Sequence, residues 1–400
     1  MEIGEFGMVI KLKERKKNLV MVPELLVTSH YIGEIFGNYF ENSGVFNIFS
    51  KEMRETFEGT QKLGQIVGTD AQVDDNEVAE CLLGKWTGNK LEFSFRGEKY
   101  KIEKYNLVYN IFSRNTGILE STIMKEKCVF VLGCGSVGSL IALELARAGV
   151  GKFVLIDNDI VEYHNLCRHQ CSIKNVGEYK VFALQKRIME INPTAQVECV
   201  KKIVEQVGQE IFEKHCTKDA IFIGCADNRA ADVYGNSIAA YYGVPFVSVG
   251  FWERAFAGEI FYYLPYADMP CYKCAFGDGG DLSQRTSTNR RIYTTEENLA
   301  KVNFEPGISV DINFVTTIGI KLIMDILNIG NDKFTPRLLG HLKQYTLVCN
   351  TNNPNIGGDM ADIFSYPLQV TTSLEVSYRE KCPPCEFENS VAIQTCEIKS

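Results

Sequence analysis

The sequence has no long uninterrupted apolar run and no excess of positive charge. Its most apolar stretch, residues 128–156, is broken by glycines and charged side chains, which is typical of a buried strand–helix–strand unit rather than a membrane span. The first residues alternate charged and apolar side chains, so we predict no secretory leader, no membrane partner and a cytoplasmic location. The formal net charge of −8 argues against non-specific nucleic-acid binding.

The chain also lacks repeats and low-complexity tracts, and its composition is that of an ordinary globular protein. Its 400 residues are too many for one small core. We predict a smaller N-terminal α+β domain over residues 1–104, with helix over residues 45–67, and a second domain over residues 105–400. The first of these carries no motif to which we can attach chemistry.

From residue 128 onwards, short apolar segments alternate with helical periodicity. Strands are predicted over residues 129–132, 153–156, 196–204, 220–223 and 245–249, and helices over residues 137–148, 180–191, 230–242 and 312–327. This alternation predicts an α/β fold, with a Rossmann-like, mostly parallel sheet and helices on both faces.

A glycine-rich turn joins the first of these strands to the first helix. Gly133, Gly135 and Gly138 form a Gly-x-Gly-x-x-Gly pattern, which allows a tight turn and close approach of a nucleotide to a helix N-terminus. Asp157 ends the next strand, where a carboxylate can accept hydrogen bonds from ribose hydroxyls. These features predict nucleotide binding, but they do not separate NAD from ATP.

Further polar residues follow the strands: Asp159, Asn165, Arg168, Lys180 and Asp227. A triphosphate with its Mg²⁺ needs cations for the pyrophosphate and a carboxylate for the metal, whereas an NAD-dependent oxidoreductase rarely needs this set. Taken singly, Arg168 and Lys180 could be solvated surface charges and Asp227 a helix N-cap. Taken together, the residues favour ATP.

Four of the fourteen cysteines form two Cys-x-x-Cys pairs, Cys271 with Cys274 and Cys382 with Cys385. Four thiolates suit a closed tetrahedral structural zinc site, giving a centre with four cysteine ligands. The pairs lie much farther apart in sequence than in a zinc ribbon. Spacing alone therefore leaves a redox-active dithiol open as the alternative.

The residues that carry these motifs also carry a family resemblance. Residues 129–181, with Asn-Leu-Cys-Arg-His-Gln at 165–170 and Asp-Asn-Arg at 227–229, resemble the ubiquitin-activating-like adenylating enzymes, the MoeB/ThiF/MccB superfamily. The resemblance extends over roughly residues 105–390. It implies a structural Zn²⁺ between the two cysteine pairs, ATP and Mg²⁺ as cofactors, and a homodimer.

The resemblance also implies residue roles. Asp157 would bind the ribose, Asn165, Arg168 and Lys180 the phosphates, and Asp227 the Mg²⁺. Upstream, the segment 112–115 resembles the family's Tyr-x-Arg motif with phenylalanine in place of tyrosine. Its Arg114 would reach the ATP phosphates of the partner subunit.

Members of this superfamily adenylate the C-terminal carboxylate of a small ubiquitin-like or sulfur-carrier protein, or of a peptide, and release pyrophosphate. The crossover loop, residues 275–313, contains no cysteine, and we interpret Cys167 and Cys171 as small packing residues. The sequence thus favours an adenylyltransferase that forms no thioester. A true activating enzyme with a catalytic cysteine and an inactive scaffold subunit of a heterodimer remain alternatives. The N-terminal domain resembles MccB-like enzymes in architecture only, which implies a role in substrate recognition.

Overall fold

The computed structural model describes residues 17–57, 59–71, 80–226, 228–252, 255, 257–277, 307–350, 371–374, 376–378 and 382. Contacts divide the chain into two compact units, Met1–Ile111 and Phe112–Ser400. Within the described ranges, no helix is both long enough and apolar enough to cross a membrane.

The first unit contains a closed seven-stranded barrel with the strand order β1-β3-β2-β4-β5-β6-β7. Its strands are β1 (Leu19–Pro23), β2 (Gly33–Phe40), β3 (Val45–Ile48), β4 (Gln61–Val67), β5 (Leu82–Thr87), β6 (Lys90–Phe95) and β7 (Glu98–Tyr105). Two short helices, α1 (Glu24–Thr28) and α2 (Lys51–Thr56), connect strands, and α3 (Leu107–Phe112) follows the barrel in sequence. Alternate side chains of the strands fill the interior, including Ile35, Ile48 and Phe93.

The prediction of helix over residues 45–67 is correct only for α2, because residues on either side of it form β3 and β4. Residues of β3 alternate between half-buried and buried, which is the period of a strand that faces a core on one side. Only α2 is helical there. Its start is fixed by Ser50, whose hydroxyl accepts a hydrogen bond from the Met53 N–H at 3.4 Å, as an N-cap residue does.

The second unit is built on an eight-stranded sheet with the order β10-β9-β8-β11-β12-β13-β14-β15. Its strands are β8 (Cys128–Leu132), β9 (Lys152–Ile156), β10 (Gln196–Val200), β11 (Ala220–Gly224), β12 (Phe246–Phe251), β13 (Ala257–Tyr263), β14 (Tyr345–Cys349) and β15 (Thr371–Leu374). The strands from β10 to β12 run parallel, and the pairings from β12 to β15 are antiparallel. The predicted α/β fold with a largely parallel sheet is confirmed.

Helices cover both faces of this sheet. They are α4 (Ser121–Glu126), α5 (Ser136–Arg147), α6 (Lys180–Ile191), α7 (Gln209–His215), α8 (Arg229–Tyr241), α9 (Tyr272–Phe276) and α10 (Ser309–Leu327). Successive side chains of β8 point to opposite faces, so Val129 belongs to the core beneath α5, α6 and α10. Phe130 belongs to the opposite core and stacks on Phe222 with ring centroids 4.2 Å apart.

The order of the strands determines where a ligand can bind. From β8 the chain continues to β9 on one side, whereas β11 pairs with β8 on the other side. In open α/β sheets, ligands bind at the carboxyl edge where the strand order reverses in this way. The turn after β8, which contains the glycine pattern, lies at that edge.

Candidate nucleotide-binding site

The glycine turn needs glycine at two positions for backbone reasons. Gly133 has a φ of +95°, a conformation that strains other residues. At Gly138, an added Cβ would lie 2.0 Å from the carbonyl oxygen of Gly133, so α5 can pack against the turn only without a side chain. Gly135, by contrast, precedes α5 with a φ of −75°, and a Cβ there would meet no described atom within 4 Å.

This contrast gives a first prediction. Gly138→Ala should lower the free energy of unfolding by about 1–3 kcal/mol, because the methyl group forces the helix and the turn apart. Gly135→Ala is the matched control and should unfold within about 0.5 kcal/mol of the wild type. Urea unfolding followed by circular dichroism measures both, and equal stability of the two variants would contradict the packing assigned to Gly138.

Asp157 connects the turn to the end of β9. One carboxylate oxygen accepts from the Cys134 N–H at 2.7 Å, and the other accepts from the Asp159 N–H at 2.8 Å. Burial raises the pKa of this carboxyl group from its ordinary value. A carboxylate has about four lone-pair sites, so Asp157 can accept from ribose hydroxyls while it keeps both backbone contacts.

Lys180 is the first residue of α6 and is fixed by Asp159. Its Nζ lies 2.8 Å from a carboxylate oxygen of Asp159, and its backbone N–H donates to the Asp159 carbonyl at 2.9 Å. The Lys180 side chain is 12% exposed and that of Asp159 is 62% exposed. The ammonium group is thus positioned on a largely buried stem, and the helix N-terminus adds to the positive potential.

Asn165 and Arg168 lie on the short segment between β9 and α6. The Asn165 amide oxygen accepts from the Glu162 N–H at 2.9 Å, which shapes the turn of 3₁₀ helix at Tyr163–Asn165. Arg168 is half-buried, and a Cβ built on Gly307 would lie 3.8 Å from one of its terminal nitrogens. The guanidinium group therefore extends towards the chain that leads into α10.

One cleft of about 670 Å³ brings most of the predicted residues together, and its size is within the range of small-molecule sites. The predicted residues that line it are Gly133, Gly135, Asp157, Asp159, Asn165, Arg168 and Lys180. Gly138 shapes the turn but is not among the described residues that line the cleft. Arg114 lies outside the lining too, exposed on a turn of 3₁₀ helix at Ser113–Asn115. Asp227 lies outside the described residues.

The sequence motifs missed several lining residues. Lys202 and Ile203 follow β10, Trp252 follows β12, and all three line the cleft. The rule that parallel strands direct their carboxyl ends to one edge could have identified them. His169 also lines the cleft; it belongs to the segment that carries Arg168, but the motifs give it no role.

Three of the four predicted zinc ligands lie close together in the core that contains Phe130. The Cys271 sulfur lies 3.8 Å from that of Cys274 and 3.3 Å from that of Cys382, and all three side chains are buried. The three ligand atoms lie within 4.8 Å of one another, a spacing that suits soft donors around one tetrahedral zinc ion. Cys385, the fourth predicted ligand, lies outside the described residues.

Cys167 and Cys171 have different environments. Cys171 is 7% exposed, as expected for a small packing residue. The same interpretation of Cys167 is wrong, because its side chain is exposed and its thiol donates to the His164 carbonyl at 3.3 Å.

The strand order and the glycine turn define a Rossmann-like nucleotide-binding fold, and comparison with known proteins narrows the class. The ThiF family profile matches residues 113–353, so this chain belongs to the ThiF family. The resemblance to ubiquitin-activating-like adenylating enzymes is thereby confirmed.

Individual relatives agree with this assignment. The chain is 26% identical over 297 residues to the adenylyltransferase and sulfurtransferase MOCS3 of Dictyostelium discoideum, covering 68% of this chain and 66% of the relative. It is 30% identical over 291 residues to the ubiquitin-like modifier-activating enzyme 5 of Bombyx mori, covering 69% and 71%. It thus spans just under two thirds of the length of the first relative. A crystal structure of E. coli MccB with SeMet MccA superposes with a TM-score of 0.48 at 18% identity, covering 69% and 74%.

Proposed function

We propose that this protein binds ATP in the cleft and adenylates the C-terminal carboxylate of a small ubiquitin-like or sulfur-carrier protein, or of a peptide. The observation that carries the proposal is the convergence of the glycine turn with Asp157, Arg168 and Lys180 around one cavity. Two cations close to a helix N-terminus suit a polyphosphate, and a carboxylate at the end of β9 suits a ribose.

The reaction joins two negatively charged groups, so its barrier is largely electrostatic. A carboxylate oxygen of the substrate attacks the α-phosphorus of ATP, and the bond from that phosphorus to the bridging oxygen breaks. Pyrophosphate leaves with the electron pair, and the acyl adenylate remains. Lys180 and Arg168 would offset the charge that develops on the leaving group, and the cleft would align the reacting atoms.

Two metal ions belong to the proposal. Cys271, Cys274 and Cys382, with Cys385 as the fourth ligand, would bind a structural Zn²⁺ that ties distant parts of the chain together. Mg²⁺ would neutralise phosphate charge, with Asp227 as the carboxylate that the family resemblance assigns to it.

The names of the relatives support the substrate class, because one is called a ubiquitin-like modifier-activating enzyme and another an adenylyltransferase and sulfurtransferase. We further propose that the barrel unit is an accessory domain for substrate recognition. A homodimer in which Arg114 serves the partner's site, a cytoplasmic location and the absence of a thioester intermediate complete the proposal. The dimer, the location and the absence of a thioester are proposed from the sequence and from its resemblance to the family.

Pyrophosphate–ATP exchange tests the activity directly. The full-length protein with MgATP and labelled pyrophosphate should form labelled ATP once a suitable carboxylate is supplied. A synthetic peptide ending in asparagine and a small protein ending in Gly-Gly represent the two substrate classes. We expect exchange with one of them and only background exchange with the same molecule amidated at its C-terminus, since an amide cannot form the adenylate.

The same assay discriminates the alternatives. A protein that binds ATP but supports no exchange with either class would be a scaffold, contrary to the proposal. An adduct that survives denaturation and is released by thiols would indicate a thioester. If the adduct is lost in Cys167→Ser, the thioester forms on this thiol, which is exposed beside residues that line the cleft.

A further inference from the structure

A buried histidine links two segments of the cleft. His169 is 7% exposed. Its Nδ1 accepts from the Cys171 N–H at 3.0 Å, and its Nε2 lies 2.7 Å from the Cys134 carbonyl oxygen. An amide N–H can only donate and a carbonyl can only accept, so one arrangement satisfies both contacts. The ring is neutral and carries its proton on Nε2.

The carbonyl that receives this proton belongs to the centre of the glycine turn. Cys134 lies between Gly133 and Gly135, and both glycines line the cleft. Its N–H donates to Asp157 at 2.7 Å, and its carbonyl accepts from His169 at 2.7 Å. Both polar groups of Cys134 are therefore fixed by side chains, which determines how the flanking peptide groups are oriented in a turn where glycine permits many orientations.

His169 also follows Arg168 in sequence, so its ring joins the glycine turn to the segment that carries a predicted phosphate ligand. We propose that His169 is a positioning residue for ATP. Through its bond to the Cys134 carbonyl, it keeps the glycine turn and the Arg168 segment in the register that accepts the phosphates. This inference rests on the proposed function, because it assigns a role within the same site.

The Cys171 contact requires the neutral ring, whereas the bond to Cys134 needs only the proton on Nε2. Burial lowers the pKa of His169 and the charge of Lys180 acts in the same direction, whereas the hydrogen bond to Cys134 and the charge of Asp157 oppose the shift. A proton added to Nδ1 would face the Cys171 N–H, so protonation breaks that contact. Because the pKa of the folded protein is lowered, the neutral form is present at neutral pH and is lost only as the pH falls below the ordinary range of histidine.

Two amide variants separate the two contacts of the ring. His169→Gln places a side-chain N–H close to the position of Nε2 and can still donate to Cys134. His169→Asn places an oxygen close to the position of Nδ1 and can accept from Cys171, but it is too short to reach Cys134. We expect His169→Asn to weaken ATP binding at least about tenfold, and His169→Gln less than about threefold, since only the first loses the bond to the turn.

Isothermal titration of the full-length protein with MgATP measures these affinities without a second substrate. His215→Gln is the matched control: this half-buried histidine contacts Glu198 at 2.7 Å and lies outside the cleft lining of the described residues, so its affinity should equal that of the wild type.

Each other result has a defined meaning. Equal affinity in the two variants, whether at or below that of the wild type, would overturn the positioning role and leave the proposed function intact. Stronger binding by His169→Asn than by His169→Gln would show that the Cys171 contact matters instead, and would also overturn the proposal. Absence of ATP binding by the wild type would overturn the proposed function itself. Thermal unfolding of each variant separates a loss of the cleft from a loss of the fold.

Discussion

Lys180→Met is expected to lower the rate of pyrophosphate–ATP exchange by about 10²–10³-fold, which is the usual effect of removing one positioned group that stabilises developing charge. Methionine preserves much of the apolar stem, which is largely buried, and removes only the ammonium group. The fold should survive, because the partner carboxylate of Asp159 is 62% exposed and can be solvated when its cation is lost.

The matched control for this variant is Lys201→Met. Lys201 is exposed and its Nζ lies 4.8 Å from the centre of the Tyr179 ring, so the same chemical change occurs close to α6. Within the described residues Lys201 does not line the cleft. Exchange at the wild-type rate in Lys201→Met and a large loss in Lys180→Met would support the assignment. Similar rates in both variants would remove Lys180 from the reaction.

Cys271→Ser is expected to lose the bound zinc and to lower the thermal midpoint of the protein by about 10 °C or more. The free energy of binding a structural zinc ion contributes directly to folding, and about 1 kcal/mol corresponds to roughly 2–4 °C in a domain of this size. The Cys271 sulfur lies 3.8 Å from that of Cys274 and 3.3 Å from that of Cys382, so serine at this position removes a ligand next to both other described thiols.

Cys216→Ser provides the comparison, because this half-buried thiol packs against the same core as the cluster but is not one of the described residues that could share a metal. Metal analysis should find about one zinc ion per chain in the wild type and in Cys216→Ser. Full stability of Cys271→Ser, or a wild type that contains no zinc after purification without chelators, would contradict a structural metal site.

Periodicity predicted the second unit well because the strands at the centre of its sheet are buried on both faces. The five residues of β8 are all buried, and a short uninterrupted apolar run that ends at a glycine turn is typical of a strand in the middle of a parallel sheet. The predicted helix over residues 180–191 has the same bounds as α6. Its end is marked by Asn192-Pro193, a pair that cannot continue a helix.

The barrel was harder to predict because its strands are half-exposed. In β7 only Tyr100 is buried, and most of the other residues are polar and exposed. The apolar pattern of this strand is therefore weak. Barrel closure also depends on the pairing of β1 with β7, whose residues Leu19 and Lys101 are far apart in sequence. Local patterns carry no information about such a pairing.

Within the cleft, the residues that the motifs identified are glycines or have polar or charged side chains. Trp252 and Ile203 were missed because an apolar side chain at a ligand site is indistinguishable in sequence from a core residue. The role of His169 depends on two backbone groups that tertiary structure brings to its ring, so its residue type alone could not reveal it. Asp227, the predicted magnesium ligand, stays a prediction from sequence.

The central pairing of the sheet also bears on how the protein is made. Cys128 of β8 pairs with Ala220 of β11, so one side of the most apolar strand stays without its neighbour while the intervening chain is synthesised. At roughly 5–20 residues per second, this delay lasts on the order of five to twenty seconds. A nascent chain with an unprotected β8 edge is prone to aggregate. Chaperones that cover this edge should therefore raise the yield of folded protein.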